Sequence, residues 1–198
     1  MKLVQVDDKE RVMTIIAVYG PNFNDKVEEK DKFWEEVIST TDDAKGILFI
    51  TEDFNGRISK KDDRYKIVIG EHREESRNDN GKRMLHFCLN HNVAITNTSK
   101  HKYTLVQHNK EDKSIIDYVL VERENRSSIL DVKIRRGAGI HSDNDLVEAK
   151  IEEHLEGILT KKNLAVRFGD LAGQFIEPVL LNQRSWKSRS SSSRATTE

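Results

Sequence analysis

The chain has 198 residues, 36 % of them hydrophobic and 34 % charged, with a mean hydropathy of −0.68. That is enough for one domain with its own core, and no apolar run approaches the roughly 18 residues of a membrane span. With 33 basic and 34 acidic residues the net charge is −1, so the overall balance selects no nucleic-acid partner by itself. A single cysteine, Cys88, excludes an internal disulfide, and the opening MKLVQVDDKERV lacks the apolar stretch of a secretory signal. Composition thus leads to an intracellular soluble domain with no membrane partner.

In chain order, Arg11 to Tyr19 (RVMTIIAVY) is β-branched and apolar and ends at the turn signal Gly20-Pro21-Asn22. Asp31 to Ile38 places Phe33, Trp34, Val37 and Ile38 at helical spacing. Ile47-Leu48-Phe49-Ile50 is a short continuous apolar run, the pattern of a strand buried on both faces, and it breaks into the polar loop Thr51-Glu52-Asp53-Phe54-Asn55-Gly56. A polar stretch follows to Asn80, with one β-prone patch at Ile67-Val68-Ile69. Asn80-Gly81 opens a helix through Met84, Leu85, Cys88 and Leu89, where the thiol reads as a small buried hydrophobe. Five segments then read as strands: Val93 to Thr96, Tyr103 to Val106, Ile115 to Val121, Ile129 to Arg135 and Leu146 to Ile151. The pattern after about Glu153 predicts a helix over Leu155 to Phe175, and residues 183–198 form a Ser/Arg-rich tail expected to be disordered.

Polar residues interrupt or end several of the strands. Tyr19 ends one, Asp53 and Asn55 follow another, Asp117 lies inside Ile115 to Val121, and Ser142-Asp143-Asn144 precedes the last. A carboxylate at a strand end is held rigidly while its loop exposes it, which suits chemistry. Asp53 and Asn55 alternate onto one side of an extended segment. Six of the seven histidines, at positions 72, 86, 91, 101, 108 and 154, show no zinc-ligand spacing, and no P-loop, dinucleotide glycine pattern or nucleophile elbow is present.

Taken together, Val18-Tyr19-Gly20-Pro21-Asn22, Asp53-Phe54-Asn55-Gly56-Arg57-Ile58, Asn78-Asp79-Asn80-Gly81, Ile95-Thr96-Asn97-Thr98, Tyr103-Thr104, Ser114-Ile115-Ile116-Asp117-Tyr118 and Arg136-Gly137-Ala138 with Ser142-Asp143 resemble the endonuclease/exonuclease/phosphatase superfamily. Within it, the order of these seven pieces is most similar to the endonuclease domain of non-LTR retrotransposons and its domesticated derivatives. The resemblance implies an α/β (α+β) fold, the four-layer α/β/β/α sandwich of the deoxyribonuclease I type, and Mg²⁺- or Mn²⁺-dependent hydrolysis of DNA phosphodiesters. It implies that Asp53 orients or deprotonates the attacking water, that Asn55 and Tyr19 donate to phosphate, that Asp143 meets the metal and that Asp117 holds a catalytic histidine. Arg57, Lys60 and Lys61, just after the Asp53 loop, are placed to meet the DNA backbone, and a DNA partner makes the expected location nuclear.

The departures from the resemblance are as informative. Asn144 stands where the superfamily has histidine, and asparagine carries no titratable proton. His141, three positions earlier, points elsewhere in an extended strand. Glu52 replaces a glycine and adds negative charge beside a phosphate site, and Leu105 replaces a tryptophan. The chain also starts close to the strand leading to Tyr19, which implies an N-terminally truncated domain over residues 1–153, missing its first sheet half and its metal-binding glutamate. An uncovered sheet face would then invite self-association. Residues 154–182 are expected to be a helical extension or linker. The expected protein is a catalytically impaired endonuclease fragment, or else a non-catalytic remnant binding nucleic acid or protein.

Overall fold

A computed structural model describes residues 1–8, 11–59, 62–70, 76–97, 105–106, 113–135, 146–152, 163–169 and 175–180. Strand β1 (Lys2–Asp8) forms an antiparallel hairpin with β2 (Arg11–Tyr19). Helix α1 (Val27–Asp42) crosses over to β3 (Ile47–Asp53), which runs parallel to β2. Helix α2 (Asp79–Asn90) precedes β4 (Val93–Ile95), and the two-residue strands β5 (Leu105–Val106) and β6 (Lys113–Ser114) pair with each other. Strand β7 (Asp117–Glu122) then inserts antiparallel between β3 and β4, giving a mixed five-stranded sheet in the order β1-β2-β3-β7-β4. The remaining strands, β8 (Ile129–Arg135), β9 (Leu146–Glu152), β10 (Asn163–Gly169) and β11 (Phe175–Leu180), form a four-stranded antiparallel sheet.

Each helix follows from its residues. In α1, Lys30, Trp34 and Val37 fall on one face and are buried, and Glu28 and Glu29 sit in the first turn, where the helix dipole favours negative charge. In α2, Asn78 caps the N-terminus by accepting the Gly81 N–H at 2.8 Å, and the helix ends where Asn92 takes a left-handed φ of 56°. Both helices pack on one face of the large sheet. Trp34 lies at its centre, with ring centroids 5.3 Å from Phe33 and Phe87 and 6.1 Å from Phe54. Cys88 is fully buried there, and burial pushes its thiol pKa far above the usual value.

The expectation of an uncovered sheet face does not hold. Ile15, Ala17, Phe49, Val119 and Val121 alternate with the helix-facing residues of β2, β3 and β7, yet they too are buried. Strand β10 lies against β3, and Ala149 of β9 and Val132 of β8 are buried as well. Self-association through a bare face therefore loses its physical basis. The expected helix over Leu155 to Phe175 is also replaced, by β10 and β11, which extend the sheet begun by β8 and β9. Leu164, Val166 and Phe168 recur at period two, and Pro178, which a helix interior rejects, sits on the edge strand β11 opposite Val166. The patch Ile67-Val68-Ile69 forms a turn instead of a strand: the Tyr65 carbonyl accepts the N–H groups of both Val68 and Ile69, at 3.0 and 3.1 Å. Residues 183–198 lie outside the described residues.

Two measurements test this packing. Phe49→Ala should cost about 3–5 kcal/mol in urea unfolding, as for a closed core, and a loss under about 1 kcal/mol would mean that this face is open. Cys88 should resist a thiol reagent in the native protein and react once the chain is unfolded; equal rates in both states would contradict its burial.

Candidate active site

The register of β2, β3 and β7 builds the site. Tyr19 pairs with Asp53 across the parallel strands, and Asp53 pairs with Asp117 across the antiparallel ones. Residues paired in this way project to the same face, so the three side chains form one rung about 10 Å wide. This rung is the end of the face that carries Ile15, Phe49 and Val121. Tyr19 is 52 % exposed, whereas Asp53 and Asp117 are each only 5 % exposed. Two buried carboxylates thus share one side of a strand pair, an arrangement that recurs at functional sites.

The loop after Asp53 is fixed bond by bond. Asp53 Oδ1 accepts the Asn55 N–H at 2.6 Å, which bends the chain back, and Asn55 adopts φ 48°, a left-handed conformation that asparagine tolerates. Phe54, between them, turns inward and donates its N–H to the Ile116 carbonyl at 3.0 Å. The Asp53 carbonyl accepts the Gly20 N–H at 2.7 Å, and Asn55 Nδ2 donates to the Gly20 carbonyl at 2.9 Å. Only glycine fits at position 20: a Cβ there would lie 2.7 Å from the Phe54 carbonyl oxygen.

The other end of this loop rests on α2. Asn78 Oδ1 accepts the N–H groups of Arg57 and Gly81, both at 2.8 Å, and Asn78 Nδ2 donates to the Asn55 carbonyl, also at 2.8 Å. Asn80 Nδ2 donates to the Pro21 carbonyl at 2.7 Å. Gly81 admits the Arg57 carbonyl, which a Cβ would meet at 1.9 Å. On the opposite side Asn97 Nδ2 donates to the Asp117 carbonyl at 2.8 Å, and Asn97 Oδ1 accepts the Val119 N–H at 3.2 Å, continuing the β4–β7 pairing through a side chain. Farther along, Arg64 lies against Asp62 and holds its carboxyl pKa down at about 2.

Of the residues expected from sequence, Tyr19, Asp53, Asn55 and Asp117 come together, and Arg57 lies at the edge with its backbone seated on α2. Lys60, Lys61, His141, Asp143 and Asn144 lie outside the described residues, as does the side chain of Glu52. The supporting asparagines 78 and 97 carry no site role in the sequence reading, and Asn80 serves there only as a helix start. Among the described residues no cluster of three His, Cys, Asp or Glu side chains is present to hold a metal ion, and no helix is long and apolar enough to cross a membrane.

No family profile matches the chain. Craniofacial development protein 2 of Bos taurus is 28 % identical over 160 residues, covering 77 % of this chain and 27 % of that protein. The Tragulus javanicus protein of the same name is 27 % identical over 151 residues, covering 73 % of this chain and 26 % of the relative. The chain thus spans about a quarter of these relatives. Among solved structures, the 3′ phosphatase NExo from Neisseria, bound to a product DNA hairpin, superposes with TM-score 0.55 at 16 % identity, over 77 % of this chain and 65 % of that one. The 3′-5′ exonuclease NExo from Neisseria meningitidis gives 0.54 at 16 %, over 76 % and 64 %. The mixed α/β fold is that of the exonuclease/phosphatase-type nucleases.

Two outcomes follow from the geometry. Asn78→Ala removes a helix cap and two loop bonds together and should cost about 2–3 kcal/mol in denaturant unfolding; a loss under about 0.5 kcal/mol would show that the loop does not depend on it. The Asp62 carboxyl is held below its unfolded value, so its contribution to stability is full above about pH 4 and is lost as pH falls through about 2. In an NMR titration Arg64→Ala should return Asp62 to the ordinary range near 4, and an unmoved titration would disprove the pairing.

Proposed function

We propose that this chain is a retrotransposon-derived DNA endonuclease domain that retains its grip on the phosphate backbone and is impaired in hydrolysis. The observation that carries this reading is the Tyr19–Asp53–Asp117 rung, with Asn55 locked beside it. The three layers, helices on the large sheet and the large sheet on the small one, would be part of the four-layer α/β/β/α sandwich of the deoxyribonuclease I type. DNA as the partner implies a nuclear location.

In this reading the exposed Tyr19 phenol donates to a phosphate oxygen. Asn55 spends one amide N–H on the Gly20 carbonyl, which leaves the second for phosphate. Neither group carries a negative charge, so neither repels the anion. Asp53 orients the attacking water and accepts its proton as oxygen bonds to phosphorus. The P–O bond opposite then breaks, and its oxygen needs a proton or a cation. Asp117 belongs to the pairing that orients a histidine for that proton transfer, but Asn144 stands at the histidine's position and has no proton to exchange. That loss alone removes about 10²–10⁴-fold in rate.

Mg²⁺ or Mn²⁺ is the cofactor of this reading, with Asp143 as a ligand, and it would supply charge neutralisation on the phosphate. Asp53 and Asp117 are hard oxygen donors of the right chemistry. Two carboxylates do not complete an octahedral site, however, and Asp53 Oδ1 already accepts the Asn55 N–H. The described residues alone therefore do not fit the ion. Asn144 also favours the second reading, a non-catalytic nucleic-acid- or protein-binding remnant.

Plasmid nicking and duplex binding test both halves. Binding should weaken steeply with added salt, as phosphate contacts demand, while nicking in Mg²⁺ or Mn²⁺ stays at the level of Asp53→Ala and EDTA controls. Salt-insensitive or absent binding would sink the DNA reading. Nicking that disappears in both controls would sink the impairment.

A further inference from the structure

Phe23 is 60 % exposed, and it stands on the turn that leaves the rung. Its place is fixed. Lys30, only 5 % exposed, donates Nζ to the Phe23 carbonyl at 2.8 Å and lies 5.6 Å from the centre of the ring. The Lys30 ammonium also approaches Asp79 of α2 at 3.8 Å. Asp25 closes the turn, accepting the Asn22 N–H on its carboxylate at 2.6 Å and donating its own N–H to the Asn22 carbonyl at 3.1 Å. Asn80 ties Pro21 to α2. A large apolar side chain is thus held in water by a buried lysine and by bonds to both helices, where a mobile loop would let it fold down onto apolar surface.

The same turn contains Gly20, which is bonded to Asp53 and Asn55. Phe23 lies three residues farther on, so its Cα is at most about 10 Å from that of Gly20. The turn follows Tyr19 directly in the chain, so a nucleic acid whose phosphate contacts Tyr19 can reach the ring with a neighbouring base. Phenylalanine has no donor or acceptor and cannot read a base edge; what it offers is a flat face. In a duplex both faces of a base are covered by its neighbours, and only an unpaired base has one free. Preorganisation of the turn keeps the ordering cost of such a contact low.

We propose that Phe23 is a stacking platform for an unpaired base, single-stranded or extrahelical, of the nucleic acid held at the Tyr19–Asp53 rung. This rests on the phosphate-binding reading above and names the substrate class: DNA with an unstacked nucleotide next to the bound phosphate.

The test uses the full chain in fluorescence anisotropy with three labelled probes of equal length: oligothymidylate, the same backbone with abasic residues, and a blunt duplex. Wild type should prefer oligothymidylate to the abasic strand. Phe23→Ala should lose roughly 5- to 150-fold in affinity for oligothymidylate, keep its affinity for the abasic strand and the duplex, and melt like wild type, while Phe23→Trp restores binding. Equal wild-type affinity for the thymidylate and abasic strands would overturn the platform whatever the variants do, as would Phe23→Ala binding thymidylate like wild type. In both cases phosphate binding itself would stand. Wild type that binds none of the probes at low salt would remove the phosphate reading and the platform with it.

Discussion

The register of three strands is the constraint on which the molecule depends. Across β2, β3 and β7 the face opposite the helices descends in rungs: Ile15–Phe49–Val121, then Ala17–Thr51–Val119, then Tyr19–Asp53–Asp117. The first is apolar, the second narrows to small and β-branched residues, and the third is polar. Side chains alternate with period two, so a slip of one residue in β3 would send Asp53 into the aromatic core around Trp34 and Ile50 out of it. Core formation and site formation are therefore the same event. Every apolar pair that fixes the register also fixes which carboxylates meet.

Asparagine does the joining at the sheet's edge. Asn55, Asn78 and Asn80 tie the Gly20 turn, the Asp53 loop and the start of α2 together through carbonyl and amide groups, and Asn97 does the same for β7. A carboxamide offers two donors and an acceptor in one rigid plane with no net charge. It can satisfy buried backbone groups without needing a counter-ion and without repelling an anion nearby. Glycine supplies the matching absence, since Gly20 and Gly81 let two backbones approach closer than any Cβ permits.

The parts of this arrangement that sequence made legible are those with local causes. The run RVMTIIAVY, the helical spacing of Trp34 and Val37, and the break from Ile50 into Asp53-Phe54-Asn55 each carry their structure in adjacent residues. So does the placement of Tyr19 and Asp53 at strand ends, whereas Asp117 reads as lying inside Ile115 to Val121 and in fact begins β7. The covering of the second face was not legible, because burial of Ile15 or Phe49 depends on strands more than 80 residues away. Strand β1 is not legible because its short apolar stretch, Leu3-Val4-Gln5-Val6, runs straight into the charged Asp7 and Asp8. The stretch from Leu155 to Phe175 reads as a helix because its apolar residues fit period 3.6 loosely. The period-two spacing of Leu164, Val166 and Phe168 is the stronger signal.

Binding and hydrolysis draw on different chemistry in such a site, and this separates their fates. On the proposed reading, the frame that faces a phosphate consists of backbone bonds, two glycines and neutral amides, and the bonds described for it do not involve position 144. Proton transfer needs a group that titrates, and one substitution removes it. On the proposed reading, loss of the histidine therefore slows turnover without loosening the Asp53 loop, because the described bonds holding Asn55 run to Asp53, Gly20 and Asn78. The turn carrying Phe23 is fastened by the same kind of bonds, through Lys30, Asp25 and Asn80. On that reading, such a fold would lose its chemistry before its grip.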